Sequence, residues 1–191
     1  MVDVGANWGL HTLYLSKLVG HTGLVVAIEP YPPALAELEW HLRANSCSNV
    51  KTYPIALSNI DGNGPFVCAN SPSQGHLINH SLTTAPQGDS LCVVTRTLDS
   101  ITKELDITHL KLVKLDVEGA ENEALLGAQQ ILKYLKPYLI IDLHVDHKQR
   151  QRMIDMLIGF GYKVVSAPNW WGILAIPPSA YTRFENPPQT C

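Results

Sequence analysis

Four groups of residues carry the types and spacings that chemistry needs. Val2-Asp3-Val4-Gly5-Ala6-Asn7-Trp8-Gly9 leads a short β-type run into two glycines with a polar side chain between them. Glycine lets a backbone approach a ligand closely, because no Cβ intervenes. Gly5-x-Asn7-x-Gly9 lacks the third glycine of the G-x-G-x-x-G turn that seats a pyrophosphate on a helix N-terminus. It suits a ligand without a pyrophosphate. Glu29 ends the next apolar run, 20 residues after Gly9. A carboxylate there can accept bonds from both hydroxyls of a nucleoside ribose. Asp116 and Glu118 close a third run, Lys114-Leu115-Asp116-Val117-Glu118-Gly119-Ala120-Glu121, and Gly119 permits a turn. Glu118, Glu121 and Glu123 also suit the positive N-terminus of a following helix, and Glu121 is assigned mainly to that role. Asp142 and His144 lie two apart near the end of a fourth run, so they share one side of it. An imidazole there suits a general base, and equally a hydrogen-bonded structural histidine.

Other groups carry less. Asp116, Glu118, Asp142 and His144 could converge as oxygen and nitrogen ligands, but no tight ligand spacing is present and no metal is expected. His76 and His80 have the i, i+4 spacing of a helical zinc pair, yet lack the glutamate after the first histidine and fall in a loop. Asp99 reads as a helix N-cap. Trp170 and Trp171 fall in the loop of the last hairpin, where they wall a substrate or simply pack.

The elements that must position these residues alternate strand and helix. Strands are expected at Met1–Val4, Leu24–Ile28, Val50–Ile55, Leu112–Asp116, Tyr138–Leu143, Tyr162–Val165 and Gly172–Ile176. Helices fall between them. Leu10, Leu13, Tyr14 and Leu18 mark the first, with Pro32 and Pro33 opening the second ahead of Leu35, Leu38 and Leu42. Glu121–Leu135 is expected as one helix with Leu125, Leu132 and Leu135 inward, and Lys148–Ile158 as another. Near-continuous apolar strands alternating with helices argue for a mostly parallel sheet covered on both faces. The last two strands are linked too closely for a helical crossover, so they must be antiparallel. Residues 59–96 interrupt the pattern with a Gly-, Pro- and Ser-rich insert, expected as a partial hairpin (Gly64–Ala69 with Leu91–Thr95) and a long loop. One domain over 1–191 is expected, with an irregular tail from 178.

Composition limits the function classes. The 191 residues carry 14 basic and 17 acidic side chains, a net charge of −3, which gives no electrostatic footprint for nucleic acid. Hydrophobic residues make up 46% and charged residues 16%, enough for a sizeable core. No apolar stretch approaches the roughly 20 residues of a membrane helix, and no signal-peptide pattern opens the chain. The four cysteines show no CxxC pair, as expected of reduced thiols in a cytoplasmic protein; a Cys68–Cys92 pairing stays open.

At the residues singled out above the sequence resembles the FkbM-type S-adenosylmethionine-dependent methyltransferases. The shared features are Val2–Gly9, Val26-Ala-Ile-Glu-Pro30, Ala56-Leu-Ser58 ahead of Asp61-Gly62, Arg96-Thr-Leu-Asp99, and Lys114–Glu121 with Gly127-Ala128. They follow the family's order over nearly the whole chain. The resemblance implies a class I, Rossmann-like α/β fold: a seven-stranded, mostly parallel sheet with a terminal antiparallel hairpin and helices on both faces. It implies S-adenosylmethionine as cofactor, bound over Asp3, Gly5, Asn7, Gly9 and Thr12, with ribose on Glu29 and adenine near Ala56, Leu57 and Ser58. Asp116 would lie beside the donor, with His144, Asp116 and Glu118 as the catalytic candidates. The family's acceptors are hydroxyl groups, so O-methylation of a small molecule or sugar is expected. Members usually carry a helical segment before the first strand, whereas Met1 opens almost inside it; a truncated form or an open donor pocket follows. Two rival readings remain. An NAD-dependent oxidoreductase would explain the glycine turn and Glu29, but neither the missing third glycine nor the final hairpin. A non-catalytic binding module would keep the fold without turnover.

Overall fold

The computed structural model describes residues 1–68, 75–77, 90–166 and 172–181. Five short strands form the parallel part of the sheet; the inner ones are largely apolar and buried, whereas the edge run Val50–Tyr53 is mostly not. The five are β1 (Val2–Val4), β2 (Val25–Ile28), β3 (Val50–Tyr53), β8 (Leu112–Leu115) and β9 (Tyr138–Asp142), all parallel to their neighbours in this group. β10 (Lys163–Val165) and β11 (Gly172–Ile176) complete a seven-stranded sheet in the order β10-β11-β9-β8-β1-β2-β3. β11 is antiparallel to both β9 and β10, the reversal that the short connection requires. β1 lies between β2 and β8, so residues far apart in sequence end side by side.

Helices cover both faces. α1 (Leu10–Val19) and α2 (Pro32–Ala44) lie on one side, where Leu38 and Leu42 pack with Ala6 and Ala27. α3 (Leu98–Glu104), α4 (Glu121–Leu126) and α5 (His147–Gly159) contribute Ile101, Leu125, Met153 and Leu157 to the other core, against Val26, Ile28, Leu115 and Ile141. The insert forms a second sheet in the order β4-β7-β5-β6, built from β4 (Ala56–Leu57), β5 (Gly62–Cys68), β6 (Gly75–Leu77) and β7 (Ser90–Arg96). The expected ribbon is its β5–β7 pair, with Gly64 opposite Val93. The same register sets Cys92 opposite Pro65, three residues and about 10 Å along the strand from Cys68. A disulfide cannot span that distance, and Cys92 is free.

Several elements differ from the sequence reading. The third strand stops at Tyr53, and Ala56–Leu57 turns away into the second sheet. In α1, Leu10, Tyr14 and Leu18 are 78%, 67% and 56% exposed, while Thr12, Leu15 and Ser16 are buried. Polar contacts hold the inward face: Thr12 Oγ1 donates to Asp3 Oδ2 (2.6 Å), and Ser16 Oγ to Asn49 Oδ1 (2.6 Å). The helix expected over 121–135 breaks at Gly127 and resumes as a wide turn over Ile131–Leu135. A Cβ on Gly127 would stand 2.1 Å from the Ser58 carbonyl oxygen, so this turn packs directly on the second sheet. Thr97, not Asp99, caps α3. Asp99 instead accepts from the Gln130 and Ile131 N–H groups (both 3.0 Å), capping the resumed turn from across the fold. His76 lies on a strand, where helical i, i+4 spacing has no meaning; His80, Trp170 and Trp171 lie outside the described residues. Among the described residues no helix is long and apolar enough to cross a membrane.

Asp61 joins the second sheet to α3. It accepts from the Thr97 N–H (2.7 Å) and the Ser100 hydroxyl (3.1 Å), with Arg96 Nε at 3.6 Å. Desolvation pushes its pKa up, but these donors outweigh that and hold it below the ordinary 3.8. A carboxyl lowered on folding stabilises above its unfolded pKa and loses that effect as pH falls through its folded value. Urea titrations at stepped pH should therefore show wild type more stable than Asp61→Asn near neutrality, by less than about 1 kcal/mol for so exposed a group. The gap should close on acidification below the ordinary aspartate value.

Candidate functional site

β1, β2, β8 and β9 end on one edge of the sheet, and the turns that leave β1, β2 and β8 border a cleft there. Gly5, Asn7, Glu29, Ala56, Leu57, Asp116 and Glu118, all candidates from the sequence, line it. The glycine turn is set by crowding. A Cβ on Gly5 (φ +70°) would lie 1.8 Å from the Asp116 carbonyl oxygen, so the absence of a side chain lets the ends of β1 and β8 close together. Asn7 follows in the left-handed region (φ 49°). That turn aims its N–H at Glu29 Oε2 (2.8 Å), while the Tyr31 N–H meets Oε1 (2.8 Å). Glu29 is only 6% exposed, and desolvation pushes its pKa up against the pull of those two bonds. Each carboxylate oxygen has two lone pairs, so both retain acceptor capacity for a ligand hydroxyl.

Asp3, Gly9, Thr12 and Ser58, all expected near the cofactor, do not line the cleft. Gly9 (φ +93°) lies under α2, where a Cβ would stand 2.5 Å from Leu38 Cδ1; its smallness serves the packing of α1 on α2. Asp3 and Thr12 are fully buried and bonded to each other. They act one layer behind the cleft, through Lys114. The Lys114 ammonium, on the neighbouring strand, lies 3.5 Å from Asp3 Oδ1 and 3.3 Å from Asp116 Oδ2, and donates to the Gly5 carbonyl at 3.3 Å. One cation thus ties together β1, the glycine turn and the acidic end of β8.

Beyond β8 the chain makes two successive left-handed residues, Glu118 (φ 52°) and Gly119 (φ 104°). This reversal turns Glu118 toward His144, which follows β9. His144 Nδ1 lies 3.4 Å from Glu121 Oε1 and 3.7 Å from Asp116 Oδ1, with Nε2 3.7 Å from Glu118 Oε2. Asp116, Glu118 and His144 bring ligating atoms within 4.8 Å of one another, a spacing that a divalent cation could bridge. Asp142, two residues before His144, is not in this group. Sequence reasoning missed Tyr31 and Phe66, which stack at 6.5 Å between centroids and wall the cleft. Phe66 comes from the insert, and its only signal was an aromatic in a β-type run.

The strand order, the terminal reversal, the glycine turn after β1 and the acid after β2 together define the class I methyltransferase fold. The chain belongs to the FkbM methyltransferase domain family, whose model matches residues 3–164. S-adenosylmethionine is the methyl donor of this class. A curated relative, Methyltransferase 1 of Beauveria bassiana, is 23% identical, over 89% of this chain and 75% of that protein. The FkbM methyltransferase structure from Methylobacillus flagellatus aligns with 92% of this chain at TM-score 0.63 and 21% identity. The chain spans 42% of that bacterial protein's length. Fibrillarin from Aeropyrum pernix, solved with natively bound S-adenosyl-L-methionine, shares the fold at TM-score 0.53 and 12% identity, over 91% of this chain and 64% of that one.

Removing Lys114 tests the cation's part in this arrangement. Lys114→Met leaves Asp3 buried without its counter-charge, and equilibrium urea unfolding should show a loss of about 3–5 kcal/mol. Adding Asp3→Asn should recover part of it, a coupling that independent sites would not show.

Proposed function

We propose that the chain transfers a methyl group from S-adenosylmethionine to a hydroxyl of a small molecule or sugar. The observation that carries this is the adjacency of two unlike halves of one site, the cleft and the imidazole beside it. One half has a buried acid with two acceptor oxygens and an aromatic and apolar wall. The other, beyond Asp116 and Glu118 of the cleft's lining, has a half-exposed imidazole 3.7 Å from each of those carboxylates. In this reading Glu29 takes the ribose hydroxyls, and Ala56 and Leu57 flank the adenine together with Tyr31 and Phe66. Asp116 stands beside the sulfonium, where its negative charge is favourable.

Methyl transfer is an in-line displacement and depends chiefly on positioning. The acceptor oxygen forms a bond to the methyl carbon as the carbon–sulfur bond breaks, and that electron pair stays on sulfur as a neutral thioether. The hydroxyl proton passes to His144. Asp116 is the weaker candidate base, since Lys114 already engages Oδ2. A net charge of −3 favours a small acceptor over nucleic acid. The free Cys47 and Cys92 support a reducing, cytoplasmic setting, and the whole chain is read as one methyltransferase domain.

Thermal-shift titration tests the donor half. S-adenosylhomocysteine at 100 times its dissociation constant should stabilise by about 2.7 kcal/mol and raise the midpoint by several degrees. NAD should give no shift, and Glu29→Ala should abolish the effect. A shift with NAD instead would favour an oxidoreductase. His144→Ala should keep the shift yet lower turnover on a panel of hydroxyl acceptors by about 10²–10⁴-fold. Full turnover in that variant would remove His144 as the base.

A further inference from the structure

We infer that Glu121 is the positioning residue for His144, fixing its ring with the proton on Nδ1 and the Nε2 lone pair free for the acceptor hydroxyl. The inference deepens the proposed transfer reaction and rests on His144 as its base. Glu121 opens α4, where an acidic side chain needs only to lie near the helix N-terminus to be favourable. That role asks for no burial. Glu121 is nevertheless fully buried. Its Oε1 accepts from the Gly119 N–H at 3.1 Å and meets His144 Nδ1 at 3.4 Å. Oε2 has no hydrogen-bond partner among the described residues.

A carboxylate held this way is costly, and desolvation accordingly pushes its pKa up. In Glu121 the fold accepts that cost directly under the imidazole. Three carboxylates surround the ring, and they differ. Asp116 and Glu118 stand at 3.7 Å and are partly exposed, so water competes for their oxygens. Glu121 is nearer and dry, which makes it the acceptor for Nδ1–H. When Nε2 takes a proton from the acceptor, the imidazolium forms against a carboxylate that water does not screen. Orienting the ring and stabilising its charged form is the part a buried carboxylate plays toward a histidine base in hydrolytic triads. The left-handed Glu118–Gly119 turn makes the approach possible, since it folds the first turn of α4 beneath His144.

The tautomer can be read directly from the imidazole ¹⁵N shifts of the full chain, labelled at its eight histidines, at a pH that keeps the rings neutral. The His144 signals are those lost in His144→Gln. In the wild type Nδ1 should carry the proton and Nε2 should give the shift of a bare nitrogen. Glu121→Gln, whose amide oxygen still accepts, should keep that pattern. Glu121→Ala should invert it, placing the proton on Nε2. An Nε2–H wild type, or a pattern unchanged in Glu121→Ala, would overturn the inference; the wild-type spectrum decides even where the alanine variant does not fold. Failure of the base assignment reads separately, as turnover surviving in His144→Ala while the tautomer still depends on Glu121.

Discussion

One buried ammonium holds the working edge of this protein together. Lys114 sits where β1 and β8 run side by side, and its charge is shared among Asp3, Asp116 and the Gly5 carbonyl. Without it the two carboxylates would face each other with no counter-charge, and the Gly5 carbonyl would lose a donor. Asp3 passes the constraint to α1 through Thr12, so the helix after the glycine turn is fixed by the same charge. Asp116 passes it outward to the cleft. Burying ions costs free energy unless they are paired and bonded, and here each partner satisfies another. The result is a rigid corner from which the cleft's two halves diverge.

The same corner explains why the site is expensive in stability. Gly5, Asn7, Glu118 and Gly119 all adopt left-handed backbone within a few residues of the cleft. Such conformations cost L-residues free energy and persist where surrounding structure holds them. Glu29 and Glu121 are buried acids whose pKa values desolvation drives upward. Both accept backbone N–H bonds that offset only part of that cost. Glu29, Glu121 and these left-handed turns thus lie on one edge of the sheet, while the core completed by α3, α4 and α5 is apolar packing.

Much of this was legible in the sequence. The strand runs, the terminal reversal and the residues at the strand ends follow from periodicity, glycine placement and topology, and they bring Gly5, Asn7, Glu29, Asp116, Glu118 and His144 to one edge. What was not legible depends on contacts between distant segments. α1 carries Leu10, Tyr14 and Leu18 outward because Asp3 and Asn49 offer its inner face hydrogen bonds, a partnership that helical spacing cannot reveal. Gly9 looks like a ligand glycine and is a packing glycine, since Leu38 reaches it from another helix. Asp99 caps a turn about thirty residues away, which no local capping pattern signals. Phe66 reaches the cleft only because the insert folds back as a second sheet against Tyr31.

The central claim is that the cleft between Glu29 and His144 holds the methyl donor with its sulfur toward the carboxylate–imidazole half. A crystal structure of the chain with S-adenosylhomocysteine measures this most directly. The ribose hydroxyls should lie within hydrogen-bond distance of Glu29, the adenine against Tyr31 and Phe66, and the sulfur on the Asp116 side of the cleft. A nucleoside bound elsewhere on the surface, or seated with its sulfur away from Asp116 and His144, would contradict it.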